Sequence, residues 1–227
     1  MTVLLVLFTF VTFLVIDYFM SRGKAPVFAS QRVAQRAPVT MPRMQPNVVN
    51  GFQVPENLRY HQGHTWALSE SPNLVRVGLD DFASKLLGKV EEVQLPQRGQ
   101  WIRQGQKIWS FKRNGATVNM VSPIEGSVAD VNDAVAQNPE LAHKDPYGEG
   151  WMVTVQSPDA KTNFRNLMGG QLARWWMEEA AGRLMKRIPT LSAAMATAQD
   201  GGVAAESLAS QLPQEKYAEI AKEFFLA

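Results

Sequence analysis

Residues 107–121 read KIWSFKRNGATVNMV. Two runs rich in β-branched and aromatic side chains, Lys107–Arg113 and Thr117–Val121, stand on either side of Asn114 and Gly115. Asn-Gly is the favoured pair for a type I′ turn, in which both central residues take positive φ, so the stretch predicts a tight β-hairpin. With Asn114 and Gly115 in the turn, Arg113 faces Ala116 and Lys112 faces Thr117, one pair below the crest. A slip of one residue would turn every inward side chain outward, so the register keeps Lys112 off the crest. Read without any further context, Lys112 and Arg113 form a solvated edge whose positive charge discourages unwanted strand pairing.

Outward from the hairpin, short apolar runs alternate with turn residues from about Leu58 onward. The runs Thr65–Leu68, Leu74–Gly78, Val90–Leu95, Ser127–Val131 and Trp151–Val155 predict further strands of a β-rich domain. Pro96 with Gly99, Gly105, Pro123 with Gly126, and Pro139 mark the turns between them. One helix is expected at Asp80–Leu87: Asp80 caps the first turn, Phe82, Ala83, Leu86 and Leu87 share a face, and Gly88 suits its end.

In this order the runs carry a resemblance. Tyr60-His61-Gln62-Gly63-His64-Thr65-Trp66 is similar to the opening motif of the glycine cleavage H-proteins, which ends in His-x-Trp. Gly78-Leu79-Asp80-Asp81-Phe82-Ala83, followed by Leu87-Gly88, resembles that family's Gly-Ile-Thr-Asp-Tyr-Ala…Leu-Gly helix. Leu95-Pro96…Gly99…Gly105, Ser122-Pro123…Gly126…Val131-Asn132, and Asn138-Pro139-Glu140-Leu141…Asp145-Pro146-Tyr147-Gly148-Glu149-Gly150-Trp151 continue it through residues 58–158. The resemblance implies a mainly β fold, a lipoyl/biotinyl-type β-sandwich (barrel-sandwich hybrid) of two small antiparallel sheets with flanking helices.

In that family a Glu-Ser-Val-Lys run carries lipoate as an amide on the lysine, and the arm passes an aminomethyl group between enzymes. Counting forward from Pro96 or back from Ser122-Pro123 places that lysine at Gly115 and the preceding three residues at Lys112, Arg113 and Asn114. Glycine has no ε-amine, so the expectation is a chain without cofactor, degenerate at Gly115. The alternative is lipoate on Lys112.

Other residues carry weaker signals. His61-x-x-His64 has a spacing found in metal sites, but there is no cysteine and no matching acidic cluster, so His61, His64 and His143 read as surface or core histidines and no metal is expected. Trp66 and Trp151 read as core. Trp101, in the Gly99–Gly105 turn region, and Trp109, on the strand entering the hairpin, are core or edge aromatics that could also anchor a partner. No Gly-x-Ser-x-Gly, phosphate-binding glycine loop or His-Glu-x-x-His occurs, and the acidic pairs Asp80-Asp81 and Glu91-Glu92 suit helix initiation and a half-exposed strand, so no enzyme activity is expected.

The two ends differ from the centre. MTVLLVLFTFVTFLVI, residues 1–16, has no charged side chain, and with Asp17–Met20 reaches about 20 residues, the length of a membrane-spanning helix. No basic residue precedes it and no small-residue cleavage site follows, which favours a retained anchor over a cleaved signal peptide. Arg22, Lys24, Arg32, Arg36 and Arg43 follow without an acidic residue, placing the body on the cytoplasmic side of the inner membrane. Residues 21–57, with five prolines from Pro26 to Pro55, read as a basic linker. Beyond the 58–158 domain, residues 159–227 read as a helical extension. Leu172, Trp176, Ala180, Leu184 and Ile188 recur every four residues with Trp175 beside them, and after Pro213 a second helix aligns Tyr217, Ile220, Ala221 and Phe224, ending in Phe224-Phe225-Leu226. These helices pack on the domain, dock into another subunit, or do both.

The composition, 45% hydrophobic and 19% charged, is that of a globular protein, and the net charge of +2 gives no footprint for nucleic acid. The chain therefore reads as a non-catalytic, membrane-anchored docking or scaffold subunit with no small-molecule substrate. Its expected partners are an integral-membrane complex and, through residues 1–20, membrane lipid. The expected partner-binding residues are Arg113, Asn114, Gly115, Trp101, Trp109, Trp175, Phe224 and Phe225. The competing readings are a lipoate carrier working through Lys112 and a regulatory binder of glycine cleavage enzymes.

Overall fold

The computed structural model describes residues 47–188, Leu208 and residues 214–226. The expected anchor at 1–20 and most of the linker lie outside these residues. Eleven strands and six helices follow one another among them: β1 (Val48–Val49), β2 (Phe52–Gln53), β3 (Arg59–His61), β4 (Thr65–Ser71), β5 (Leu74–Leu79), α1 (Asp81–Leu87), β6 (Glu92–Gln94), β7 (Trp101–Ile102), β8 (Lys107–Arg113), β9 (Ala116–Val121), β10 (Gly126–Val131), α2 (Asp133–Gln137), α3 (Glu140–Lys144), β11 (Val153–Gln156), α4 (Ala160–Arg165), α5 (Gly170–Arg187) and α6 (Gln214–Phe225).

The strands form two principal antiparallel sheets, β3-β4-β5-β11-β10-β7 and β6-β8-β9, with β1-β2 as a separate ribbon. Every strand the sequence pattern predicts is present, and the mainly β architecture of two antiparallel sheets with flanking helices is the one observed. The core lies between the sheets: Val75, Val77, Val153 and Val155 alternate inward from one, Trp109, Phe111, Val118 and Met120 from the other. Trp66 is wholly buried and pairs across the β4–β5 ladder with Gly78, where a Cβ would meet the indole at 2.6 Å. Only glycine permits that approach, and the indole N–H then donates to the Pro146 carbonyl at 3.1 Å. One core tryptophan thereby ties the first hairpin of the large sheet to the loop before β11.

Helix α1 begins as its sequence predicts. The Asp80 side chain accepts the Ala83 N–H at 2.7 Å, and the chain turns away at Gly88. Its Lys85 ammonium reaches Asp81 at 2.8 Å and the Gly51 carbonyl at 2.9 Å, fastening the β1–β2 ribbon to the helix.

The C-terminal helices complete this same core. Helix α5 buries Ala173, Met177, Ala180, Ala181 and Leu184, and α6 buries Tyr217, Ile220, Ala221, Phe224 and Phe225. The expected face of α5 is corrected by about one residue: Leu172 is exposed, and Ala173 and Met177 take the inward positions. Three alanines on the buried stripe let the helix approach closely, which a pattern weighted by large apolar residues does not register.

Candidate functional site

The β8–β9 hairpin has the register its sequence predicts. Arg113 pairs with Ala116 and Lys112 with Thr117, while Asn114 and Gly115 take φ of 47° and 76° in the turn. A Cβ built on Gly115 would have no neighbour within 4 Å, so the crest is open to solvent. Neither crest residue brings an amine or another nucleophile.

Alternation along β8 sends its last two cations to opposite sides. Lys112 lies on the outer face, where its ammonium meets the Glu92 carboxylate of β6 at 2.7 Å with both side chains close to half exposed. That hydrogen bond, followed by one from Gln94, holds the Glu92 carboxyl below the usual glutamate range. The neighbouring Glu91 accepts the Asn114 backbone N–H at 3.0 Å, so β6 places carboxylates beside both the amine and the turn. The sequence pattern did not show this pairing, although Val93 facing Phe111 and Glu92 facing Lys112 follow from the β6–β8 register. Arg113 turns inward, donates to the Leu87 carbonyl at 3.3 Å, and stacks its guanidinium 4.6 Å from the Tyr217 ring centre.

The other partner candidates divide. Trp101 and Trp175 stay in solvent, 51% and 61% exposed, on β7 and α5 respectively. Trp109, Phe224 and Phe225 are corrected: all three are buried and belong to the core. Trp109 faces inward because β8 alternates in phase with Phe111, and the two phenylalanines sit where α6 meets α1 and the His64 turn.

A buried cluster beside this hairpin escaped the sequence reading. The His64 ring stacks on Phe82 at 4.1 Å and against Trp176 at 4.6 Å, with Phe224 and Phe225 6.1 and 6.3 Å away. Its Nδ1–H donates to Asp80 at 2.8 Å, while Nε2 is buried without a hydrogen-bond partner among the described residues. Asp80 therefore has two tasks, capping α1 and fixing the imidazole. His61 is engaged differently: its Nδ1 accepts the Gly63 N–H at 3.0 Å. Burial, and then the nearness of His64, lower the His61 pKa. Among the described residues no group of three or more His, Asp or Glu side chains is placed to hold a metal ion.

The glycine cleavage H-protein family model matches residues 58–180. The chain is 36% identical over 128 residues to the glycine cleavage system H protein of Anaeromyxobacter sp. (strain K), covering 56% of this chain and 98% of that one. It is 37% identical over 109 residues to the protein of the same description from Stenotrophomonas maltophilia, covering 48% and 83%. A crystal structure of a glycine cleavage system H protein from Mycobacterium marinum aligns with a TM-score of 0.43 at 28% identity, over 46% of this chain and 87% of that one.

These matches correct two expectations. The absence of a cofactor was inferred from the missing amine of Gly115 alone, whereas the matched family is one of lipoate carriers and the hairpin keeps an amine at Lys112. The inner-membrane, single-pass location rested on residues outside the described structure. No described helix is long and apolar enough to cross a membrane, and the 128 matched residues already account for 98% of an H-protein relative.

Proposed function

Because the chain belongs to the glycine cleavage H-protein family, we propose that it acts as a carrier of that kind, with lipoate held as an amide on Lys112. The observation that carries the reading is the placement of the Lys112 amine: one pair below an open crest, on the solvent face of the hairpin, beside Glu92. An amide needs an accessible ε-amine, and of the two lysines on the hairpin, Lys107 and Lys112, the one nearer the crest in register is Lys112. Lipoate, when attached, supplies a dithiolane on a long arm that takes up and hands on a small group.

The chain's own residues prepare that attachment. Glu92 orients the ammonium along the outer face, and because both groups are near half exposed the ion pair opens readily to release the amine. Thr117, opposite Lys112, is exposed and small enough to leave the amine approachable from the β9 side. Nothing within 4 Å of the Gly115 Cβ position obstructs a ligase arriving over the crest. In this reading the protein is a carrier rather than a catalyst, and its partners are the enzymes of glycine cleavage.

The test is loading in vitro. Incubation of the purified full chain with lipoate, ATP and a lipoate ligase should add one lipoyl group, mapped by peptide mass spectrometry to Lys112, and Lys112→Arg should abolish it. A full chain left unmodified, beside a conventional H-protein that loads, would overturn the proposal.

A further inference from the structure

Helix α6 lies beyond residue 180, where the match to the family ends, yet it is built onto the hairpin that bears the candidate lysine. It packs chiefly on β9, the edge strand of the small sheet. Near its start, the Tyr217 ring carries the Arg113 guanidinium at 4.6 Å. The Arg113 side chain at 3.3 Å, and the Tyr217 hydroxyl in a longer contact at 3.4 Å, converge on the Leu87 carbonyl. Leu87 is the last residue of α1, so its carbonyl has no acceptor role within the helix and is free for both donors. Near its other end, Phe224 lies under Arg183 at 5.3 Å and Glu223 pairs with Arg187 at 2.8 Å, which ties α6 to α5. The Phe225 carbonyl and the Val121 side chain both abut Gly63, close to the base of β9.

The helix thus touches the hairpin at its base and, through Arg113, one residue from its crest. Arg113 and Lys112 are consecutive on β8 and point to opposite faces, so α6 grips the strand from the inside while leaving the Lys112 amine outside. The stack on Tyr217 and the hydrogen bond to Leu87 hold the inner face of this two-stranded projection one residue from Asn114-Gly115. Fixing Arg113 therefore fixes the direction in which Lys112 leaves the sheet.

From this arrangement we propose that α6 is a clamp that sets the orientation of the Lys112 hairpin, and that Arg113 is the positioning residue through which it acts. The proposal rests on the carrier reading for its purpose but not for its physical content. Its test has one arm that needs no lipoate.

Amide hydrogen exchange, read by mass spectrometry on the full chain, compares peptides covering residues 108–121 with those covering β10 and β11 as internal reference. Arg113→Ala, a half-buried position whose loss leaves the core intact, should speed exchange in the hairpin about tenfold while the reference peptides stay unchanged. Tyr217→Ala should do the same, and the double variant should add little, because each single change already breaks the stack between the two side chains. Tyr217→Phe keeps the ring and should stay close to the parent. Hairpin exchange unchanged in Arg113→Ala, or loosening by the two changes that simply multiplies, would overturn the clamp. The second arm measures ligase-dependent loading. Arg113→Ala should raise the KM for the protein several-fold with kcat little changed, and Arg113→Lys should restore it only in part. An unchanged KM in a protein that does load would count against the positioning role. Failure of every form to load would strike the carrier reading and leave the exchange result to decide the clamp.

Discussion

At the hairpin crest Gly115 has open solvent where a side chain would be, whereas at the His64 turn every neighbour is in contact: Phe82 and Trp176 enclose the ring and Asp80 holds its Nδ1. Both regions depart from the motif that the resemblance implies. At the crest, that resemblance puts Gly115 in the place of the modified lysine, and a Cβ there would meet no neighbour within 4 Å. At the turn, Asp80 stands where the motif has threonine, and the substitution is absorbed: aspartate still caps α1, as threonine would, and also binds His64. An open position tolerates loss of its side chain without affecting the fold, while a closed one must keep its contacts satisfied. The fold and the chemistry of this chain can therefore diverge, and the proposed carrier role rests on Lys112, Glu92 and Arg113 rather than on the fold.

The comparison can be pressed hardest at the closed end. Trp66→Ala removes a fully buried indole that packs on Gly78 and bonds Pro146, and should cost about 3–5 kcal/mol, read as a fall in the urea midpoint at unchanged slope. Asp80→Ala should come next, at roughly 2–3 kcal/mol, since it removes a helix cap of about 1 kcal/mol and leaves a buried imidazole N–H unpaired. Asp80→Thr keeps the cap and should recover about 1 kcal/mol of that loss. At the open end, Gly115→Lys meets no steric neighbour and should cost only about 1–2 kcal/mol for a non-glycine residue at a φ of 76°. It should also load with lipoate faster than Lys112 does, because it returns the amine to the crest.

The smallest effect is the pH response of His61. Its folded pKa is depressed by burial and by His64, so the unfolded chain binds the proton more readily and stability falls as pH drops from about 6.5 through the folded pKa. Protonation also removes the lone pair that accepts the Gly63 N–H, beside the Phe225 carbonyl of α6. Exchange at Gly63 and in the last turn of α6 should therefore rise below pH 6.5 before the core loosens, and a uniform response would show that His61 is not the group responsible.

Much of this was legible in the sequence because it is local. The Asn114-Gly115 turn follows from two residues, the Lys112–Thr117 register from counting outward, and the α1 cap from Asp80 preceding an apolar face. What escaped is long-range. His64 and Asp80 are brought together only when Trp66 pairs with Gly78, and Glu92 meets Lys112 only through the β6–β8 ladder. The partner of α6 was equally hidden: Tyr217, Ile220, Ala221 and Phe224 declare an apolar face, but nothing in their spacing says that it meets β9 rather than another protein. Trp109 and Phe225 misled for a related reason, since aromatic side chains suit an interface and a core equally well.

The most direct measurement is the intact mass of the protein purified from cells that synthesise lipoate. The account predicts a single lipoyl-sized increment that tandem fragmentation assigns to Lys112 and that is absent from Lys112→Arg. A mass equal to that of the bare chain, in a preparation where the cell's own H-protein is fully lipoylated, would contradict it.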